Sequence, residues 1–217
     1  MKTKSKVLFV LSVSFFLLFA LFTLLLLTVD VAPIGPQGSQ IGLSGLNQAA
    51  REALGSSSLA YDISEILGLL CLGGAAAFAL IALVQWIRRR SLRLVDRGLI
   101  LLGGAYVLTV VFYALFEVVV INYRPVLING VLEASYPSST TLLATCVLPT
   151  AILQLNTRIK QSVLRRAVAI ALAALTAFMV IGRLLSGVHW LTDIIGGALL
   201  SAGLVLLYAA LCRLRKD

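Results

Sequence analysis

Six stretches of this sequence stay free of charge for long enough to cross a bilayer, and this pattern constrains the fold more than any other feature. They cover residues 7 to 29, 66 to 87, 98 to 116, 134 to 157, 167 to 182 and 194 to 212. A helix rises about 1.5 Å per residue and a bilayer core is about 30 Å thick, so each run reads as one transmembrane helix. With their flanking residues the spans are about 7–29, 66–87, 98–122, 138–157, 167–185 and 190–212, joined by a long loop at 30–65. The chain of 217 residues is 60% hydrophobic and 12% charged, with a mean hydropathy of +1.02, which excludes an ordinary soluble domain. Alternation with a period of two is absent, so a β-barrel is disfavoured and the expected fold is all-α, a single six-helix bundle over 1–217.

The first run follows the basic start MKTKSK and resembles a secretory signal, but its apolar core is too long and no A-x-A site follows. It reads as a retained anchor helix. The net charge of +9 sits in short clusters between spans and not on one soluble face, so it reports topology and not nucleic-acid binding. With the N-terminus placed in the cytoplasm, 15 of the 18 Lys and Arg fall inside, and both termini are cytoplasmic. Arg51, Arg124 and Arg183 alone remain outside. Cys71, Cys146 and Cys212 are odd in number and lie in or at the ends of apolar spans, so neither a disulfide framework nor a metal cluster is expected.

The loop 30–65 begins Pro- and Gly-rich and continues as LNQAAREALG, a candidate interfacial helix ending at Gly55. It reads either as a cap over a site or as a plain connector. Small-residue patches such as GGAAA at 73–77 serve close helix packing. No repeat or pair of interrupted helices suggests an inverted-repeat transporter.

Ionisable groups at the ends of these spans carry the functional argument, since such residues are costly near a membrane. Arg124 follows span three in NYRPVL, Ser138 to Thr141 open span four in YPSSTT, Arg183 closes span five, and His189 and Asp193 open span six. The charge-derived topology places all of them at the outer face. His189 and Asp193 are one helical turn apart, where a carboxylate orients an imidazole and raises its basicity. A purely structural reading, a helix cap paired with a histidine, competes with a nucleophile or base. Two arginines suit phosphate through paired hydrogen bonds, and PSSTT offers hydroxyls and free N–H groups at a helix start, although Ser after Pro is also an ordinary N-cap. Together they describe phosphoryl transfer through a phosphohistidine.

These elements resemble the type 2 phosphatidic acid phosphatase superfamily, six-helix membrane enzymes that dephosphorylate lipid phosphates and pyrophosphates. Its signature runs K-x6-R-P, P-S-G-H and S-R-x5-H-x3-D, and the third element stands here as G-R-x5-H-x3-D from Gly182 to Asp193. The resemblance implies His189 as nucleophile, Asp193 as its orienting partner, Arg124 and Arg183 as a phosphate clamp, and phosphate binding at Ser138, Ser139 and Thr140, with no cofactor and no metal.

Three positions depart from the signature. Glu117 replaces the lysine, Gly182 the serine, and Thr140 the histidine that protonates the leaving group. Glu117 is expected to pair with Arg124 or Arg183, or else to act as an auxiliary acid. Loss of the acid favours a substrate whose leaving group departs as an anion, such as a polyprenyl pyrophosphate, over phosphatidate or phosphatidylglycerophosphate. The expectation is a lipid phosphatase or pyrophosphatase at the outer face of a bacterial plasma membrane, with the bilayer and a phosphorylated lipid as partners and no nucleic acid. A catalytically impaired member that binds or carries phosphorylated lipids is the alternative, and a small transporter relying on Glu117 ranks last.

Overall fold

The computed structural model describes residues 2–214, an all-helical bundle in which six helices are long and apolar enough to cross a membrane. Helix α1 spans Lys2–Thr28, α2 Ser44–Leu54, α3 Ser58–Arg89, α4 Arg97–Val118, α5 Ser139–Arg158, α6 Ser162–Leu185 and α7 Leu191–Arg213. All but α2 are the spanning elements.

Helices α5 and α7 form the centre. Half or more of their most apolar stretch is buried, against less than a quarter in the other four spans. Polarity explains the difference. Thr141, Thr150 and Gln154 of α5 and Asp193 and Ser201 of α7 need partners that lipid lacks, so these faces turn inward. Thr145 and Ser201 meet at 2.6 Å between the two helices, and Tyr106 of α4 reaches Thr150 at 3.1 Å. Helix α1 lies along α7, with Ser5 donating to the Ala210 carbonyl at 3.0 Å and Ser12 to the Gly203 carbonyl at 2.8 Å. The outer faces of α1, α3, α4 and α6 present Leu, Val, Ile and Phe, as a lipid-contacting ring requires.

Two boundaries differ from the hydropathy reading in ways that matter. Helix α3 begins at Ser58 and not near residue 66, so YDISE is helical and not part of the loop. Ser57 caps it by accepting from the Ala60 N–H at 3.2 Å, and the polar side chains that broke the apolar run find partners on α6. Helix α4 stops at Val118 and not at 122. Residues 119–138 then form a loop folded back at Asn129 and Gly130, whose φ values of 52° and 79° suit a tight two-residue turn. Ile128 and Val131 exchange backbone hydrogen bonds of 3.0 and 2.9 Å across it.

The basic clusters, from Lys4 and Lys6 through Arg88–Arg90, Arg93, Arg97, Arg158, Lys160, Arg165 and Arg166 to Arg213, all lie where these helices start or end on one side of the bundle. Arg215 and Lys216, counted with them in the sequence, lie outside the described residues. The opposite end carries α2, the 119–138 loop and the α6–α7 turn.

Candidate active site

The α6–α7 turn brings histidine and carboxylate together. Ser186 ends α6 by donating to the Arg183 carbonyl at 2.6 Å, and Gly187 turns the chain at φ +70°, where a Cβ would fall 2.5 Å from that of Ser56. His189 is therefore not on the same helix as Asp193, as the i,i+4 spacing suggested, but just ahead of it. Asp193 caps α7 by accepting from the Trp190 N–H at 2.9 Å, which folds the preceding residues back onto its carboxylate. The same Oδ2 lies 3.5 Å from His189 Nδ1. Asn122 supports the other oxygen, donating to Asp193 Oδ1 at 3.4 Å, and Asn122 in turn accepts from the Gly42 N–H at 3.2 Å.

The His189 side chain is 1% exposed and, among the described residues, neither ring nitrogen is hydrogen-bonded. Burial pushes its pKa down to about 4; Asp193 opposes this shift, and the charges of Arg183 and Arg124 add to it. The ring is thus neutral at physiological pH, with Nδ1 toward the carboxylate. Arg124 borders the same crevice as His189.

Each arginine is already engaged. Arg183 is 1% exposed, donates to Glu65 Oε1 at 2.6 Å and Ser64 Oγ at 3.3 Å, and lies over the Tyr61 ring at 5.3 Å. Tyr61, Ser64 and Glu65 share one face of the α3 segment that hydropathy assigned to a loop. Arg124 pairs through Nε with Glu133 Oε2 at 3.1 Å, and its N–H donates to the Glu133 carbonyl at 3.0 Å across the folded loop. The expected pairing of Glu117 with either arginine is not formed. Glu117 instead borders the narrow crevice that holds Arg124, Tyr113, Ser139 and His189.

The start of α5 separates its hydroxyls by function. Ser138 is fully buried and caps the helix, its Oγ accepting from the Thr141 N–H at 3.4 Å, while its own N–H donates to the Asp193 carbonyl at 3.0 Å. Ser139 is half-buried and Thr140 buried. Ser139 borders both the His189 crevice and a groove of about 270 Å³ running between α3, α4 and α5, which Thr140 and Glu65 also line. Apart from these groups and Tyr113, the groove is walled mainly by apolar side chains.

Among solved structures and protein families this arrangement has relatives. The pattern of the PAP2 superfamily matches residues 98–216, more than half of the chain. The chain belongs to the PAP2 superfamily. A crystal structure of a transmembrane PAP2-type phosphatidylglycerolphosphate phosphatase from Bacillus subtilis is similar in fold, with a TM-score of 0.60 over 94% of this chain and 99% of that one, at 20% identity. No curated protein matches the sequence.

The grouping of His189 with Asp193 was readable from spacing, whereas Glu65, Glu133, Asn122 and Asn47 were not. Asn47 of α2 is fully buried, donating to Thr192 Oγ1 at 3.0 Å and accepting from the Thr192 N–H at 3.2 Å. Arg51, one turn on, donates to the Gly187 carbonyl at 3.1 Å and lies 5.7 Å over Trp190. For the 119–138 loop a signal existed in Asn129-Gly130, a strong two-residue turn pair. Among the described residues, His, Cys, Asp and Glu form no group of three suited to a metal ion.

Proposed function

We propose that this PAP2 protein hydrolyses phosphorylated lipids through a phosphohistidine on His189, at the extracytoplasmic face of a bacterial plasma membrane. One observation carries the reading. A buried neutral imidazole, backed by Asp193 and within range of two arginine charges, borders a polar crevice that shares Ser139 and Tyr113 with a mainly apolar groove. Nε2 attacks phosphorus, Asp193 balances the charge that develops on the ring, and Arg124 and Arg183 hold the phosphate oxygens. The face assignment is supported by the basic clusters at the opposite ends of the helices. A polyprenyl pyrophosphate makes the least demand on position 140, because its leaving phosphate departs as an anion.

The test is phosphate release in detergent or liposomes, without added metal, from polyprenyl pyrophosphate, phosphatidate and phosphatidylglycerophosphate. The wild type releases phosphate and His189→Ala reduces release to background. A second reading, a protein that binds or carries such lipids, is favoured by the engagement of both arginines with carboxylates. Lipid binding without release from any of the three substrates would establish it.

A further inference from the structure

The proposed chemistry lacks a proton donor at Thr140, and a carboxyl group stands beside it on another helix. Gly68 of α3 faces Thr140 at ordinary packing distance: a Cβ there would lie 3.7 Å from Thr140 Cγ2. Glu65 precedes Gly68 by one turn on the same face, and it lines the same groove as Ser139 and Thr140. Its Oε1 is 2.6 Å from Nη1 of Arg183, an arginine that the proposed function assigns to phosphate. We infer that Glu65 is the proton donor to the leaving group, supplied from α3 in place of a histidine on α5, and that it extends the substrate class to lipid phosphomonoesters. This inference rests on the phosphohistidine reading above.

Glu65 suits the role for three reasons. Its side chain is 48% exposed, whereas Arg183 is 1% exposed and held by Tyr61 and Ser64. Contact with Arg183 puts it within reach of any phosphate bound by that arginine. It also lines the mainly apolar groove that would hold the lipid chain. Glu117 borders the other crevice, beside His189 and Arg124.

The proton balance closes. A phosphate monoanion arriving at Arg183 displaces the carboxylate, and two anions crowded on one guanidinium favour transfer of the phosphate proton to Glu65. The N–P bond to His189 Nε2 then forms as the ester P–O bond breaks. The electron pair stays on the ester oxygen, which takes the Glu65 proton and leaves as an alcohol. Water next attacks phosphorus, the P–N bond breaks with its pair returning to Nε2, and the water proton passes through Glu65 to the phosphate, which leaves as the monoanion and restores the Glu65 carboxylate for the next turnover. This second step has a loose transition state and depends little on proton removal from water.

The experiment compares two leaving groups within one variant. Turnover of phosphatidate and of polyprenyl pyrophosphate is measured for wild type, Glu65→Gln, Glu65→Asp and Glu117→Gln, and the ratio of the two rates is independent of the folded fraction. Wild type cleaves both. In Glu65→Gln phosphatidate turnover falls about 10²–10³-fold while pyrophosphate turnover falls less than about tenfold, and Glu65→Asp recovers part of the ratio. An equal loss on both substrates, a gain on either, a wild type that cleaves only the pyrophosphate, or the selective loss appearing in Glu117→Gln would each overturn the role of Glu65. Failure of the underlying reading looks different: release from both substrates then survives His189→Ala.

Discussion

A histidine that is buried without a hydrogen bond on either nitrogen is held in its neutral form, and that has a consequence for stability as well as for the proposed chemistry. Burial is the main cause that brings the His189 pKa from 6.5 to about 4, and Asp193 at 3.5 Å only partly offsets it. A group with a depressed folded value binds protons more readily unfolded, so it stabilises the fold fully above 6.5 and loses that contribution as pH falls toward about 4. Carboxylates act lower. Asp30 is held below 3.8 first by the Gly45 N–H and then by Ser44, and Asp96 first by Gln85, so their contributions disappear only below that value. The thermal midpoint of the detergent-solubilised protein should therefore decline between about pH 6.5 and 4. His189→Asn should flatten that decline. A wild-type midpoint as flat as the variant's across this window would show that the imidazole is not buried neutral.

At the scale of elements, α2 behaves as a clamp on the α6–α7 turn. Asn47 satisfies Thr192 through both its backbone N–H and its hydroxyl, and Arg51 holds the Gly187 carbonyl and the Trp190 ring on either side of His189. Asn47→Ala leaves one buried donor, the Thr192 N–H, and two acceptors, Thr192 Oγ1 and the Gly42 carbonyl, without this partner, at a cost of about 1–3 kcal/mol. The variant should expose residues 44–54 to faster hydrogen exchange and lower phosphate turnover, while exchange within α5 stays slow. Unchanged exchange in α2 would mean that other contacts seat it. This clamp also marks the limit of what was legible. Gly182 to Asp193 encode a local constellation, so the spacing of Arg183, His189 and Asp193 was readable directly. The six spans were readable too, because the bilayer demands long apolar runs. Glu65, Asn47 and Asn122 act on residues 118, 145 and 71 positions away in the chain, and nothing local marks such partners. The start of α3 was missed for a related reason. Tyr61, Ser64 and Glu65 lower the hydropathy of its first turns because they serve Arg183, so the feature that hid the helix boundary is the one that ties it to the site.

Across the whole molecule, polarity and charge are sorted by end. One end gathers His189, Asp193, Arg124, Arg183 and the α2 clamp; the other gathers the basic turns between α3 and α4 and between α5 and α6. Translocation disfavours short loops rich in Lys and Arg, and the orientation proposed above puts the basic end in the cytoplasm and the site outside it. A phosphorylated lipid would then meet the site from the outer leaflet, entering sideways through the groove between α3, α4 and α5. The chain's own thiols make this straightforward to test, since Cys71 and Cys146 are buried and Cys212 lies near the basic end. A cysteine placed at Gln40, in the exposed stretch before α2, should react with a membrane-impermeant maleimide in intact bacterial cells. One placed at Lys160, between α5 and α6, should react only after the cells are opened. The reverse pattern would put the site in the cytoplasm, where phosphate release and lipid supply would both belong to the inner leaflet.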